Sequence, residues 1–327
     1  MYRLYFQATG FFGRVYDEQV SYWFPHTLAV GQSVHVVGGL TFSAASEAEV
    51  SSANTAWTSA MDALPWLTYR AGFEPLTEFN PMTSDKGWGC AVRSAQMLTA
   101  SSLVEAMGDE SRSQILRLFV DSFEAPLSLH RVVEIGLRDR FIAKLGDWFG
   151  PASATGILVR LARELDLGGV GMHTFMDQML VRPTMTQLLL KHPRGVLMFV
   201  PVMLGVGMCI DSNEFKPQIL SLFRLEQFRG FVGGDCVSHS YFFAAGNEEK
   251  LFILDPHVVQ PKMTIENVDQ QIPQPYMMGM RWPRLNPSMS LGFFVRHMED
   301  FDAVAAAVSP LGVSLINEKP PRARRTI

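Results

Sequence analysis

The chain has 327 residues, of which 47% are hydrophobic, 11% aromatic and 18% charged, so it can build a full core and lacks the composition of a disordered protein. Its formal charge of −4 argues against a general nucleic-acid binder, because such a protein needs a basic face to neutralise phosphates. The longest apolar run, 196–210, contains Pro201, Gly205 and Gly207 and is shorter than the ~20 residues that span a bilayer, so we expect no transmembrane segment.

The N-terminal sequence and the rest of the chain indicate a single domain without a leader. Arg3 interrupts the apolar start MYRLYFQATGFFGR, and no small-residue cleavage site follows a hydrophobic block, so we expect no secretory signal. No repeat, low-complexity block or long linker divides the remainder. The basic run 319–325 follows the last periodic segment and is typical of a flexible, solvated end.

The segment from Cys90 to about Met107 is predicted to be a helix, because apolar residues recur at helical spacing and Gly108 is placed to end it. At a helix start the unpaired N–H groups and the macrodipole stabilise a thiolate relative to the thiol. Cys90 is therefore a candidate nucleophile. The alternative is that Cys90 is a small buried apolar residue, which is the common role of a free cysteine.

Two further helices are predicted in the first half of the chain. The apolar pattern over 115–123 indicates one amphipathic helix. The pattern over 157–165 indicates another, with Ser153 as the candidate N-cap and Gly168 as the stop.

The second half of the chain turns to strand patterns. The run 195–204 is continuously apolar, as in a buried strand, and the segments SYFFAAG (240–246), LFILD (251–255) and LGFFVR (291–296) follow with polar or glycine residues between them. Helices in the first half and an antiparallel sheet in the second half predict an α+β fold.

The segments SYFFAAG and LFILD are predicted to form a hairpin through the short link 247–250. If the turn is centred on that link, antiparallel pairing places His239 opposite His257 and Tyr241 opposite Asp255. Three polar residues, His239, Asp255 and His257, would then converge at one end of the sheet.

A thiolate nucleophile needs an imidazole partner, and that imidazole needs an orienting group on its other nitrogen. Asp255-Pro256-His257 can supply both, because residues i and i+2 of a strand point to the same side. His257 lies 257 − 90 = 167 residues after Cys90, somewhat beyond the ~130–150 residues of papain-like enzymes. Two alternatives stay open. The segment can be a turn with a surface histidine, and His239 can be the base or a histidine bonded to backbone.

The chain has three cysteines, Cys90, Cys209 and Cys236. An odd and sparse set fits a reducing cytosol with free thiols. Cys236 and His239 could instead form half of a zinc site with the 255–257 pair, although tetrahedral zinc needs four placed ligands, or three and water. We expect no metal and no cofactor.

The segment TSDKGWGCAVRSAQM (83–97) closely resembles the active-site segment of the autophagins, the autophagy-related cysteine proteases of papain-like fold. Further blocks are similar to this family in the family's order, and together they span roughly 36–301: WLTYR at 66–70, GDWFGP at 146–151, FVGG at 231–234, LDPHVVQP at 254–261 and LNPSMSLGFF at 285–294. The resemblance implies a papain-like catalytic domain over 36–309, an N-terminal extension over 1–35 and a flexible basic tail over 310–327.

The resemblance implies a cytoplasmic thiol protease that cuts a ubiquitin-like autophagy modifier after its C-terminal glycine. This reaction would both mature the precursor and release the modifier from phosphatidylethanolamine, with transient membrane proximity through the lipidated substrate. By the same resemblance Cys90 is the nucleophile, His257 the catalytic histidine and Asp255 its orienting carboxylate. Tyr69 matches a tyrosine that could help the Cys90 backbone N–H to hold an oxyanion; otherwise it is a core tyrosine.

The resemblance also implies a substrate groove. Trp148 matches a tryptophan that lines the groove for the substrate tail, and is otherwise a packed aromatic residue. Gly233 and Gly234 match the start of a movable loop beside that groove. The chain departs from the family here, because it reads DCVSHS (235–240) where the family has a Pro-Asn-Ser segment and a histidine just before Tyr-Phe, and because Met203 stands where the family often has arginine.

The sequence is compatible with two other functions. One is a papain-like protease of another ubiquitin-like substrate that uses His239 as its base. The other is a catalytically inactive adaptor that keeps the papain-like fold and binds the modifier.

Overall fold

The computed structural model describes residues 27–77, 81–237 and 239–318. Most of the predicted N-terminal extension and the basic run 319–325 lie outside these residues. The helices are α1 (Glu47–Asp62), α2 (Cys90–Met107), α3 (Arg112–Arg117), α4 (Leu129–Arg138), α5 (Pro151–Ala162), α6 (Arg182–Lys191), α7 (Ser212–Leu222) and α8 (Met298–Val308). The strands are β1 (Ser33–Val36), β2 (Leu40–Ser43), β3 (Tyr69–Ala71), β4 (Val170–Thr174), β5 (Met179–Val181), β6 (Gly195–Met203), β7 (Phe228–Asp235), β8 (Ser240–Gly246), β9 (Lys250–Leu254), β10 (Val259–Pro261), β11 (Met278–Arg281), β12 (Leu285–Val295) and β13 (Ser314–Ile316).

A large sheet with the strand order β11-β9-β8-β7-β12-β6-β4 forms the centre of the molecule, and β1 adds to it through β8. Its pairs are antiparallel except for β4 and β6, which run parallel. The α+β, papain-like fold class is thus confirmed, with one parallel pair in a sheet expected to be antiparallel. Two small parallel pairs lie apart from this sheet, β3 with β10 and β5 with β13.

Helix α2 lies in the core and begins and ends where the sequence predicts, with Gly108 as its C-cap. It is buried on all sides from Cys90 to Val104, as expected of a central helix. Three of its buried hydroxyls are satisfied within the helix, because Thr99, Ser101 and Ser102 each donate to the carbonyl four residues back. Strand β12 approaches the helix closely at Gly292, where a Cβ would lie 2.7 Å from the Leu98 side chain.

The other two helix predictions are only partly right. In the 115–123 segment the helix stops at Arg117, because the backbone N–H of Asp121 bonds the Met263 carbonyl at 2.8 Å instead of continuing the helix. The next predicted helix starts at Pro151 with Gly150 as N-cap rather than Ser153, and it ends at Ala162. Proline at the first helical position suits this start, since its missing N–H would be unpaired there anyway.

The predicted hairpin has the predicted register at its open end. Phe242 pairs with Leu254 and Phe243 with Ile253, and a bulge near Ala244 shifts the pairing by one residue closer to the turn. This register also predicts that His239 lies close to His257, and the centroids of the two rings are 5.1 Å apart.

The expectation of three free thiols is wrong, because Cys209 and Cys236 form a disulfide. The end of β6 and the turn after β7 lie at the same edge of the sheet, which brings the two Cα atoms to 5.3 Å, a normal separation for a disulfide. Cys90 keeps its thiol. The cysteine count therefore no longer argues for a reducing compartment. Among the described residues, no helix has the length and apolar character to cross a membrane.

A buried ion-pair network lies directly behind the start of α2. Arg93, one turn after Cys90, bonds Asp85 and Asp121 at 2.7 Å each, and all three side chains are fully buried. Asp85 also accepts the N–H of Arg70 through its carboxylate at 2.6 Å, and Asp121 accepts that of Met263 at 2.6 Å. The network therefore ties the loop before the helix to two distant segments of the chain.

We expect Arg93→Met to lower the free energy of unfolding by ~3–5 kcal/mol, because it leaves two buried carboxylates without their cation. Urea denaturation measures this loss. The matched control is Arg131→Met, which breaks the half-exposed pair with Glu134 and should change the free energy by no more than about 0.5 kcal/mol. Equal effects of the two substitutions would contradict a stabilising role of the buried network.

Candidate active site

The Cys90 thiol is positioned by a tight turn at the N-terminus of α2. The carbonyl of Asp85 accepts the N–H groups of Trp88 and Gly89 at 3.2 and 2.9 Å. Gly87 has φ +86°, which favours glycine, and a Cβ on Gly89 would lie 2.5 Å from the Asp85 carboxylate. The two glycines therefore serve backbone geometry, and Cys90 becomes the first residue of the helix, where a negative charge is stabilised.

Asp255 and His257 form the carboxylate–imidazole pair that the strand spacing predicts. Nδ1 of His257 bonds Oδ1 of Asp255 at 2.5 Å, and the same oxygen accepts the His257 N–H at 3.0 Å. Both side chains are nearly buried. Two side chains fix the backbone at this corner of the sheet, because Trp66 Nε1 donates to the Asp255 carbonyl at 2.7 Å and the Gln274 side-chain oxygen accepts the Asp255 N–H at 2.6 Å.

The thiol and the imidazole shift each other's proton affinity. Burial raises the pKa of Cys90, but the hydrogen bond and positive charge of His257, with further hydrogen bonds from the Ser240 backbone and Tyr69, hold that pKa below its ordinary value. Burial lowers the pKa of His257, whereas the charge and hydrogen bond of Asp255, and those of Cys90, raise it to about 10. A thiolate–imidazolium pair is therefore the favoured state between these two pKa values.

Tyr69 lies against both members of this pair. Its side chain hydrogen-bonds Cys90, and its ring meets the His257 ring edge-on at 5.3 Å between centroids. Strand β3 carries it there, since the Tyr69 N–H bonds the Pro256 carbonyl at 2.8 Å. The tyrosine is buried, so its ring belongs to the core, and its hydroxyl lies next to the Cys90 sulfur.

Trp148 lies on the surface beside the turn that precedes Cys90. Its Nε1 donates to the Gly87 carbonyl at 2.9 Å, while 60% of the residue is exposed to solvent. An open cavity of about 480 Å³ adjoins it, lined by Phe141, Ile142 and the turn 146–147 among others. Such an exposed, tethered indole is suited to contact a ligand rather than to fill the core.

Gly233 and Gly234 lie inside strand β7, where they pair with Tyr241 and Ser240. The resemblance places them at the start of a loop, and the structure places the turn itself after Asp235. At Gly234 a Cβ would meet the His239 carbonyl at 2.6 Å, so glycine allows the close approach of that turn. Next to it, the Ser240 N–H reaches Cys90, so this strand pair does border the thiol.

His239 lies near His257 but has a carboxylate partner of its own. Its Nδ1 is 3.1 Å from Oδ2 of the fully buried Asp235. Sequence reasoning treated Asp235 only as a departure from the family and missed this pair. It also missed the Ser240 backbone contact and the Trp66 and Gln274 supports, because contacts between segments 19 to 189 residues apart leave no local sequence pattern.

The zinc alternative loses its thiolate ligand, because Cys236 is bonded to Cys209. Within the described ranges, no group of three or more His, Cys, Asp or Glu side chains could hold a metal ion.

Comparisons with known proteins identify the family of the chain. Residues 54–307 match the family model of the Peptidase C54 catalytic domain. The chain is 30% identical to the probable cysteine protease atg4 of Schizosaccharomyces pombe over 73% of this chain and 72% of that protein. It is 26% identical to the cysteine protease ATG4A of Xenopus laevis over 72% of this chain and 70% of that protein, and 26% identical to the human ATG4A over the same shares. The chain is therefore a cysteine protease and belongs to the Peptidase C54 family, the autophagins.

Proposed function

We propose that this protease cleaves after the C-terminal glycine of a ubiquitin-like autophagy modifier, both maturing the precursor and releasing the modifier from phosphatidylethanolamine. The observation that carries the proposal is the buried chain of contacts from Cys90 through His257 to Asp255, found in a member of the Peptidase C54 family. This chemistry needs no metal or cofactor. The substrate would bring the enzyme transiently to a membrane, and the activity belongs in the cytoplasm.

In the proposed reaction the Cys90 thiolate attacks the carbonyl carbon of the glycine. The negative charge that develops on the carbonyl oxygen is held by the Cys90 backbone N–H and the Tyr69 hydroxyl. His257 gives its proton to the leaving amine, and the C–N bond breaks to leave a thioester. His257 then takes a proton from water, whose oxygen attacks the thioester and releases the carboxylate and the thiolate.

A preference for glycine follows from the proposed substrate groove. Trp148 is fixed to the Gly87 carbonyl on one side, and the strand pair that contains Gly233 and Gly234 borders the thiol on the other, through the Ser240 backbone. A side chain on the cleaved residue would have to fit between these elements. Of the two histidines, His257 is favoured as the base because it hydrogen-bonds Cys90, whereas His239 bonds Asp235.

We expect Cys90→Ala to abolish cleavage of a C-terminally extended modifier while leaving its binding intact, because the substitution removes only the nucleophile. Mass spectrometry of the products identifies the scissile bond, and a pull-down assay measures binding. A wild-type product cut anywhere other than after the glycine would refute the proposed function, and turnover by the alanine variant would refute the nucleophile.

We expect the rate of Cys90 alkylation by iodoacetamide to rise with pH through a pKa below the ~8.5 of an ordinary thiol. In His257→Ala the rise should move to higher pH, because burial then acts on the thiol without the opposing imidazolium. The control is His239→Ala, which should keep the wild-type profile. If instead His239→Ala gave the large upward shift, His239 would be the partner of the thiol.

We expect Tyr69→Phe to lower kcat about 100-fold with little change in KM, because one oxyanion donor is typically worth 10²–10³ in kcat. Steady-state kinetics on the extended modifier measure this effect. The alkylation profile provides a separate readout of the ground-state contact with the sulfur. An unchanged kcat would leave Tyr69 with a packing role only.

A further inference from the structure

Asp235 and His239 form a second carboxylate–imidazole pair that the proposed reaction does not use. Besides the ring contact, the Asp235 carboxylate accepts the N–H groups of Val237 and His239 at 3.0 and 2.9 Å. Burial raises the pKa of Asp235, but the hydrogen bonds and charge of His239 hold that pKa below its ordinary value. The carboxylate is therefore ionised at neutral pH, and it fixes both the turn and the orientation of the imidazole.

The pair lies beside His257 of the active site and is partly accessible to solvent. The His239 ring meets the His257 ring edge-on at 5.1 Å between centroids, while 38% of the His239 side chain is exposed and Asp235 is fully buried. A buried anion thus holds a solvent-accessible imidazole within reach of any group that extends a few ångströms from the leaving nitrogen.

The proposed lipid leaving group places a phosphate at about this distance. In an ethanolamine headgroup the phosphorus is four bonds from the amine nitrogen, which bonds of ~1.5 Å limit to roughly 5 Å. During cleavage the amine must be close to His257 to receive its proton. The phosphate therefore lies within roughly 5 Å of that amine, a distance comparable to the 5.1 Å between the centroids of the His257 and His239 rings. A precursor has no phosphate at that position.

We propose that His239 binds the phosphate of a phosphoethanolamine leaving group and so favours release from the lipid over precursor maturation. This inference rests on the proposed function. Bound between the Asp235 carboxylate and the phosphate, the imidazole would carry a proton on each ring nitrogen and donate one to each anion. Hydrogen bonds between charged partners are the stronger class, so the contact should speed cleavage of this substrate selectively.

The test compares three soluble substrates made from one modifier, with the C-terminal glycine joined to ethanolamine, to glycerophosphoethanolamine or to a peptide extension. We expect His239→Ala to lower kcat/KM about tenfold for the glycerophosphoethanolamine conjugate, equivalent to ~1.4 kcal/mol, and to leave the other two unchanged. His239→Arg should restore part of the loss, since it returns a cation. Added inorganic phosphate should inhibit the wild type only on the glycerophosphoethanolamine conjugate, which separates a headgroup site from general anion binding.

The matched control is His192→Ala. His192 precedes the start of β6, whereas the active site adjoins the other end of that strand. The length of the strand separates the two ends by ~30 Å. This substitution should not change any of the three rates. An equal loss on all three substrates in His239→Ala would show that His239 only positions His257, and no loss would exclude a phosphate contact; either result overturns the inference. If the wild type cleaves none of the three substrates, the proposed function fails and the inference falls with it.

Discussion

The packing of helix α2 against strands β7 and β8 is the constraint on which the site depends. The helix supplies Cys90 at its first residue, the start of β8 supplies the Ser240 N–H, and the segment after β9 supplies the imidazole of His257. None of these groups is close to another in sequence. They meet because the helix packs closely on the sheet, as at Gly292 of the neighbouring strand β12, where a Cβ would contact Leu98 at 2.7 Å. The same close packing excludes water from the site.

Because water is excluded from the site, a charged group there is costly unless a partner compensates it. Desolvation alone would keep the Cys90 thiol protonated and the His257 imidazole neutral, which is an unreactive pair. The structure reverses both tendencies by placing each group against the charge of the other and by setting Asp255 behind the imidazole. The buried pairs of Arg93 with Asp85 and Asp121 work in the same way one layer deeper, where each charge is compensated by a partner. Removing one member of either set leaves an uncompensated charge in a medium that tolerates it poorly.

Local patterns in the sequence were enough to predict the central elements. The bounds of α2 and the strand β6 follow from apolar spacing and from Gly108, and the open end of the β8–β9 hairpin follows from a short turn, because antiparallel pairing converts turn position into register. The early end of α3 and the disulfide of Cys209 with Cys236 were not predicted. Both depend on partners brought together only by tertiary structure: Met263 for the first and the shared sheet edge for the second.

In the candidate site, too, the features set by neighbouring residues were predicted, and those set by distant contacts were not. The Asp255-Pro256-His257 spacing predicted a carboxylate beside an imidazole, and the resemblance indicated Cys90 as its partner. The role of Asp235 was hidden, because nothing in the order of residues 235–240 shows that the carboxylate would be fully buried and bonded to His239. The resemblance implies a different sequence in this turn, and the chain builds a complete carboxylate–imidazole pair there. A buried acid that accepts three hydrogen bonds from one short turn fixes an exposed imidazole more firmly than surface packing could. That rigidity distinguishes His239 from an ordinary surface histidine.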